Sequence, residues 1–354
     1  MILILARGDD PHVPHVTRIL DARRAPYRCF DASLFPSAAT VSIRYDRKGS
    51  ARQTLQYQQH RLDLKAIRAV WDRARTRPVA GDAVPEENRW AVSETSSRVL
   101  AELWECLDCV WLPHRPNATT SPHGTTAKPD AYAPSLTRTA RSEPGLPRPA
   151  PGNKLHQLQL AGQLGFTVPE TLVTNSPEEF LEFYEQCEGE VVFKQPVHAE
   201  LVRGGEPHRT FTALARRQSA AAYHSIRHEP VVFQKRIPKQ LELRVTVVGD
   251  RAFAAAIDSQ ANDRLQVDWR HYPDFGGERY YSVHQLPGRI GQRCVRMVRM
   301  LGLCFGAIDL ILTPEGDHVF LEVNPNGQWA WVEKYTGLPI AEAIADYLIR
   351  AHRK

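Results

Sequence analysis

The chain lacks a long apolar run at its start: Met1-Ile-Leu-Ile-Leu-Ala6 is followed at once by Arg7, Asp9 and Asp10. Six apolar residues are too few for a signal-peptide core or a membrane span, so no membrane partner is expected and the cytoplasm is the default location. Cysteine is scarce as well. Cys29, Cys106, Cys109, Cys187, Cys294 and Cys304 are scattered over 354 positions, which predicts buried free thiols and not a disulfide framework. The close pair Cys106 and Cys109 has no second pair that would complete a zinc site. A strong charge of one sign is also missing. With 45 basic and 40 acidic residues the net charge is +5, a mild bias that suits an acidic partner. No basic helix or aromatic-interleaved basic strand is apparent that would indicate a nucleic-acid binder.

What is present is ordinary globular composition, 42% hydrophobic and 24% charged, on a chain long enough for two or three domains. Ile2–Leu5, Val41–Tyr45 and Cys109–Leu112 read as strands, Leu64–Val70 leads into Trp71-Asp-Arg-Ala-Arg75, and Val92–Leu103 has helical spacing. This predicts a small α/β domain over 1–115. Between Asn117 and Gly152 prolines crowd in and the only large apolar residues are Tyr132, Leu136 and Leu146, so 116–152 is read as a flexible insertion or linker. From Asn153 regular patterning resumes. Leu155, Leu158 and Leu164 form a helical stripe ending at Gly165, and Ser176-Pro-Glu-Glu179 is a capping box that starts a helix. Val191–Lys194 reads as a strand before the loop holding Gly204 and Gly205; a helix is expected near Ala213–Ile226 and a strand at Val231–Gln234. A hairpin with arms Glu242–Val248 and Arg251–Asp258 turns at Gly249-Asp250. A helix near Arg289–Leu301, a second hairpin and a helix with Ile340, Ile344 and Leu348 in line close the chain.

The chemistry is concentrated in that second hairpin, Cys304 to Gly327. If Pro314 to Asp317 forms the turn, Thr313 faces His318 and Asp309 faces Glu322, while Ile308, Leu310 and Leu312 meet Val323, Leu321 and Val319 on the opposite, apolar face. Two carboxylates ~5 Å apart, with Asn324 two residues on, are destabilising unless a cation sits between them. Ligands that are all oxygen select a hard ion, magnesium or manganese. Such an ion usually completes its shell with phosphates, which makes Lys154 and Lys194 candidate phosphate contacts and the glycine loop a candidate cover. Glu242 and Arg244 share one face of the first hairpin, where a carboxylate can take ribose hydroxyls and a guanidinium a phosphate oxygen.

The order Lys154, Lys194, glycine loop, Gln234-Lys-Arg-Ile237, Glu242-Leu-Arg244, Asp309, Glu322, Asn324 resembles the ATP-grasp superfamily over roughly residues 153–352. Leu241-Glu-Leu-Arg-Val-Thr-Val-Val-Gly249, Asp258-Ser-Gln260, Asp268-Trp-Arg270, Leu321-Glu-Val-Asn-Pro-Asn-Gly-Gln-Trp329 and Thr336-Gly-Leu-Pro-Ile340 are similar to the ATP-grasp ribosomal peptide maturases. These are the graspetide, microviridin-type macrocyclases, and the likeness is nearest to their actinobacterial branch. Trp71-Asp-Arg73 sits where that branch has its pre-ATP-grasp domain. The resemblance implies an α/β chain with an α+β ATP-grasp fold: an N-terminal pre-ATP-grasp domain, a central subdomain over 153–234 and a C-terminal subdomain over 235–354. It further implies magnesium (or manganese) on Asp309, Glu322 and Asn324. ATP phosphates would meet Lys154 and Lys194, adenine the backbone of Gln234, Lys235, Arg236 and Ile237, and ribose Glu242. Arg244 and Arg270 would serve the γ-phosphate and an acyl phosphate. The implied partner is a precursor peptide with a leader and an acidic, hydroxyl-bearing core, and homodimers are an expectation of the family. Lys235 and Ala256 depart from the acidic residues common at those places. A carboxylate–amine ligase and a non-catalytic nucleotide-binding module are the alternative readings. His198 and His271 are candidate bases that the chemistry does not require.

Overall fold

A computed structural model describes residues 1–73, 76–114, 150–194, 201–203, 206–208, 212–215, 225–263, 265–271 and 280–353. The chain divides into two compact units, one built from Met1–Pro151, Leu301–Phe305 and Pro339–Lys354 and the other from Gly152–Met300 and Gly306–Leu338. Most of the 116–152 segment, the Gly204-Gly205 loop, His198 and much of the helix expected over 213–226 lie outside the described residues. Among the described residues no helix is long and apolar enough to cross a membrane.

The first unit is built on a parallel sheet in the order β2 (Tyr27–Phe30), β1 (Ile2–Leu5), β6 (Ala69–Asp72), β7 (Val110–Leu112). Ile2, Leu3 and Ile4 are all fully buried, as expected of a central parallel strand covered on both faces. Helices α1 (Val13–Ala22) and α2 (Glu86–Glu105) flank it, and β3 (Ala39–Tyr45), β4 (Ala51–Tyr57) and β5 (His60–Asp63) form a separate antiparallel meander. The C-terminal helix α7 (Ile340–Arg353) belongs to this unit. Its buried Ile340, Ile344 and Leu348 form the expected stripe, it packs on α1, and Arg23 of that region pairs with Glu342 and Asp346. Two of the cysteines expected to be buried, Cys29 and Cys106, are exposed.

The second unit carries two sheets, and the capping box at Ser176 starts helix α4 (Pro177–Gln186), with the Ser176 hydroxyl accepting from the Glu179 N–H. Strands β8 (Thr171–Thr174), β9 (Val191–Lys194), β12 (Ala213–Leu214) and β13 (Val231–Lys235) form one in the order β12-β9-β13-β8, with a short hairpin β10 (Leu201–Arg203) and β11 (Glu206–His208) apart from it. Ala213–Leu214 pairs with Val192 and Phe193 as a strand, where a helix was expected to begin. The larger sheet has the order β16 (Tyr281–Val283), β15 (Arg251–Ile257), β14 (Leu241–Val248), β17 (Phe305–Leu312), β18 (His318–Asn324). The β14–β15 hairpin closes where expected, with Val248 opposite Arg251 and Gly249 supplying the positive φ of +62° that a two-residue turn requires. Helix α5 (Gly288–Met300) packs on β14 and β15 and carries Arg289, Arg293, Arg296 and Arg299 with no acidic residue, so a basic helix does exist that charge counting alone did not reveal.

Two sequence expectations are corrected around the helix α3 (Lys154–Gln163) and the β17–β18 hairpin. Leu155 is 51% exposed, and the buried face of α3 is Gln157, Leu160 and Ala161. The cause is Gln157, whose amide donates to the Val323 carbonyl (2.9 Å) and accepts from the Val323 N–H (2.8 Å), so a polar side chain takes the place of a neighbouring strand beside β18. In the hairpin, Asp309 faces Glu322 and Ile308 faces Val323 as expected, but beyond them a bulge shifts the register. Leu310 therefore meets Phe320, Ile311 meets Val319 and Leu312 meets His318, one step off the regular pairing. A bulge inserts one unpaired residue and bends the strand, and this one adjoins the two acids.

Two predictions follow from these contacts. A Cβ on Gly327 would lie 2.4 Å from that of Ala307 and 3.3 Å from that of Asn324, so the turn after β18 has no room for one. Gly327→Ala is expected to lower stability by about 1–3 kcal/mol in urea unfolding, and Ala307→Gly in the same chain to recover part of it. In the first unit His12 is 1% exposed, with Nδ1 at 3.1 Å from Asp10 and 3.0 Å from Arg73. Burial, with Arg73 adding and Asp10 opposing, pushes it down from 6.5 to about 4. The unfolded chain therefore binds a proton that the folded one refuses between those values, and stability falls as pH drops through that window. His12→Asn is expected to flatten the slope of unfolding free energy against pH from 6.5 to 4; an unchanged slope refutes the assignment.

Candidate active site

Asp309 leaves β17 opposite Glu322 on β18, and Asn324 follows on the same strand. Asn324 Nδ2 donates to Asp309 Oδ2 (3.1 Å) and Glu322 Oε1 (3.3 Å), so a donor bridges the two acids at the place where a cation would compensate them. Lys154, at the start of α3, reaches Glu322 Oε2 at 3.1 Å, positioned by the same helix that Gln157 fastens to Val323. Arg244 on β14 donates to Asp309 Oδ1 at 2.7 Å. The two acids differ in their surroundings. Burial, opposed by Arg244 and reinforced by Glu322, pushes Asp309 up to about 6. Burial acts on Glu322 as well, but Lys154 and Lys194 outweigh it and hold that carboxylate down to about 2. Burial lowers the Lys194 ammonium, with Glu322 opposing.

Beside these groups lies an open pocket of about 700 Å³, the solvent at its mouth included. Lys194, Gln234, Lys235, Arg236, Ile237, Glu242, Arg270, Asp309 and Glu322 line it; Lys154, Arg244 and Asn324 stand behind, bonded to its two acids. The segment between the sheets is less free than expected. The amide protons of Lys235 and Arg236 go to the carbonyls of Glu170 and Glu190, and their side chains pair with the carboxylates of the same residues at 3.1 and 3.2 Å. The acidic side chain that Lys235 replaces is thus answered by Glu170, just before the neighbouring strand β8. Gln234 turns inward and donates to Thr171 Oγ1 at 3.0 Å.

Three residues of the site carry roles that the sequence did not assign, although Asp268 stands in one of its motifs. Lys239 donates to Glu242 (3.0 Å) and to the Val267 carbonyl (3.0 Å). Burial raises the Glu242 carboxyl, and Lys239 opposes that. Asp268 receives Arg270 in a bidentate pair (2.9 and 2.7 Å) and also the Thr212 N–H (3.0 Å). Burial disfavours its charge, yet the Arg270 hydrogen bonds prevail and bring it to about 2. Gln157 is the third. Its spacing of three from Lys154 was a usable signal, as was that of Lys239 from Glu242. The His271 side chain and all of His198 lie outside the described residues.

Among the described residues no group of three or more His, Cys, Asp or Glu side chains is placed so that it could hold a metal ion. The oxygen set available is two carboxylates and one amide, which suits a hard divalent ion that keeps other ligands from phosphate or water. Arg244 Nε is buried without a hydrogen-bond partner in the described structure, a donor whose desolvation an anion within reach would offset. The residues present therefore fit such an ion: Asp309, Glu322 and Asn324 would hold it, and the surrounding lysines and arginines would meet the anionic groups that accompany it.

Residues 1–119 match the MvdD pre-ATP grasp domain and residues 151–348 the RimK-like ATP-grasp domain. Among solved structures the chain is similar to a RiPP-associated ATP-grasp ligase from Chryseobacterium gregarium, solved with ADP and a leader and core peptide. The identity is 26%, the coverage 99% of this chain and 96% of that one, and the TM-score 0.82. It is also similar to the macrocyclase MdnB from Microcystis aeruginosa MRC, at 30% identity, 98% coverage of each chain and a TM-score of 0.71. The N-acetylaspartylglutamate synthase A of Homo sapiens is 26% identical over 192 residues, which are 53% of this chain and 46% of that protein. The chain spans about half the length of the curated relatives it matches. A domain match over more than half of the chain and a 30% likeness along nearly all of it place this protein in the RimK-like ATP-grasp family, among the ATP-grasp ligases and macrocyclases of ribosomal peptides.

Proposed function

We propose that the protein is an ATP-dependent macrocyclase of a ribosomally made precursor peptide. The observation that carries this reading is the pair Asp309 and Glu322, opposed across one hairpin and surrounded by Lys154, Lys194, Arg244 and Arg270. An Asp or Glu carboxylate oxygen of the peptide attacks the γ-phosphorus of ATP, ADP leaves, and the acyl phosphate is captured by a second side chain. A Ser or Thr hydroxyl gives an ester, a Lys amine an amide. In either case the nucleophile loses one proton and phosphate departs.

In this reading Asp309, Glu322 and Asn324 hold Mg²⁺, with Mn²⁺ as the alternative hard ion, and the metal neutralises charge on the phosphates when bound. Lys154 and Lys194 contact the phosphate chain, and the lowered pKa of Lys194 reflects burial that anionic oxygens would relieve. Glu242, held by Lys239, takes the ribose hydroxyls, while Gln234, Lys235, Arg236 and Ile237 wall the adenine. Arg244 contributes its unpartnered Nε and Arg270 its guanidinium, the latter fixed by Asp268, to charge that develops on the transferring phosphoryl and the tetrahedral carbon. No Ser, Cys or His nucleophile is required. The acidic peptide supplies the anionic partner that the +5 net charge suits; a homodimer and a cytoplasmic location belong to the same proposal.

Intact-mass spectrometry of an adjacent-encoded precursor, incubated with protein, ATP and Mg²⁺, is expected to show losses of whole waters. Asp309→Asn and Arg244→Ala should each reduce that product by about a hundredfold or more. A mass gain would instead identify amino-acid or amine ligation. Lys239→Met removes the cation that opposes protonation of buried Glu242. It is expected to raise KM for ATP by about tenfold with a smaller change in kcat, and an unchanged KM removes Glu242 from nucleotide binding.

A further inference from the structure

The pocket wall that carries Trp269 continues outward as a run of aromatic side chains for which the proposed chemistry has no use. Trp269 lines the pocket and lies with the Arg244 guanidinium carbon 6.0 Å from its ring centroid. From it the centroids follow at 5.0 Å to Trp331, 5.2 Å on to Tyr281 and 5.0 Å on to Tyr335, the last two rings stacked with 12° between their planes. Lys334 Nζ stands 5.0 Å from the Tyr335 centroid at the outer end. Trp331 and Tyr335 share a face of helix α6 (Ala330–Thr336) because they are four residues apart, and Tyr281 comes from the edge strand β16.

Trp329, two residues before Trp331, is fully packed, at 1% exposure. The four rings of the run are only half buried. They form a continuous chain of ring contacts, each ring partly open to solvent, with a cation at each end, Arg244 beside the acids and Lys334 outside. Ring faces take other rings and flat apolar side chains, and the flanking cations favour carboxylates nearby. The strip is continuous with the site where the carboxyl would react, and its three links of about 5 Å correspond to at most roughly four residues of extended chain.

We propose that this ladder is a subsite for the substrate peptide, holding the segment beside the activated carboxyl and selecting an aromatic or proline side chain two to four residues away from it. The inference rests on the macrocyclase reading for the identity of its ligand. A flexible peptide with several carboxyls offers several reactive positions, and a grip on the neighbouring ring decides which of them enters the pocket.

The test uses the full chain with ADP and Mg²⁺ and two fluorescein-labelled synthetic peptides of about twelve residues, each with one Asp. One peptide has Phe three residues from that Asp; the other has Leu there. Binding is read by anisotropy for the wild type and for Trp331→Leu and Tyr335→Leu, which keep an apolar side chain at each place. The Phe peptide is expected to bind the wild type about tenfold more tightly than the Leu peptide, and the preference is expected to fall below twofold in Trp331→Leu. The same preference in the variants as in the wild type overturns the proposal, as does equal binding of both peptides to the wild type or no binding of either. The wild-type comparison does not depend on the folding of any variant. Mass spectrometry of the same peptides with ATP in place of ADP reads the chemistry separately. Ring-dependent binding with a mass gain keeps the ladder and removes the macrocyclase, whereas loss of water without ring preference does the reverse.

Discussion

Two carboxylates opposed across a strand pair, largely out of water, are the constraint around which the second unit is organised. Left uncompensated they would cost several kcal/mol, since each buried charge loses its hydration and repels the other. The chain answers with Arg244 on Asp309, Lys154 on Glu322 and the Asn324 amide between them. Each of these partners is supplied by a different element, so β14, α3, β17 and β18 must all be in register before the acids are tolerable. The arrangement is also one that a hard cation with phosphate ligands can enter, since that exchange replaces one set of positive charges by another.

Polar side chains that bond backbone give this cluster its precision. Gln157 occupies both the N–H and the C=O of Val323, between Glu322 and Asn324 in sequence, and so fixes the height of the acid-bearing strand relative to the helix that carries Lys154. Asp268 plays a similar part for Arg270, accepting from its guanidinium twice and from the backbone amides of Arg270 and Thr212. The bulge beyond Asp309 has the same consequence in the sheet, because it ends the regular pairing just where the acids must be presented. Chemistry in which positioning and charge do most of the work places its demands on such supports more than on any single reactive group.

Much of this was legible beforehand. The Gly249 turn, the face-to-face placement of Asp309 and Glu322, the helix beginning at Lys154 and the stripe on Ile340, Ile344 and Leu348 all follow from local periodicity and turn chemistry. The family resemblance rested on the same segments. What escaped were features that depend on a partner distant in sequence. Leu155 looked like core and Gln157 did not, because periodicity counts apolar residues and cannot see that an unpaired strand edge 166 residues away requires a polar one. The register beyond Asp309 was read as regular because a bulge leaves no mark in an alternating apolar strand.

The sequence by itself determined which residue types stand at which intervals, and with them the elements, the acid pair and the class of chemistry those acids imply. Tertiary structure alone decided that Lys239 holds Glu242, that Lys235 and Arg236 spend their amides on Glu170 and Glu190, and that Trp269, Trp331, Tyr281 and Tyr335 form one strip. The reason is physical. Periodicity reports how a segment meets an average apolar interior, whereas a hydrogen bond, an ion pair or a ring contact depends on distance and direction between particular groups, and those are fixed only when the strands and helices have packed.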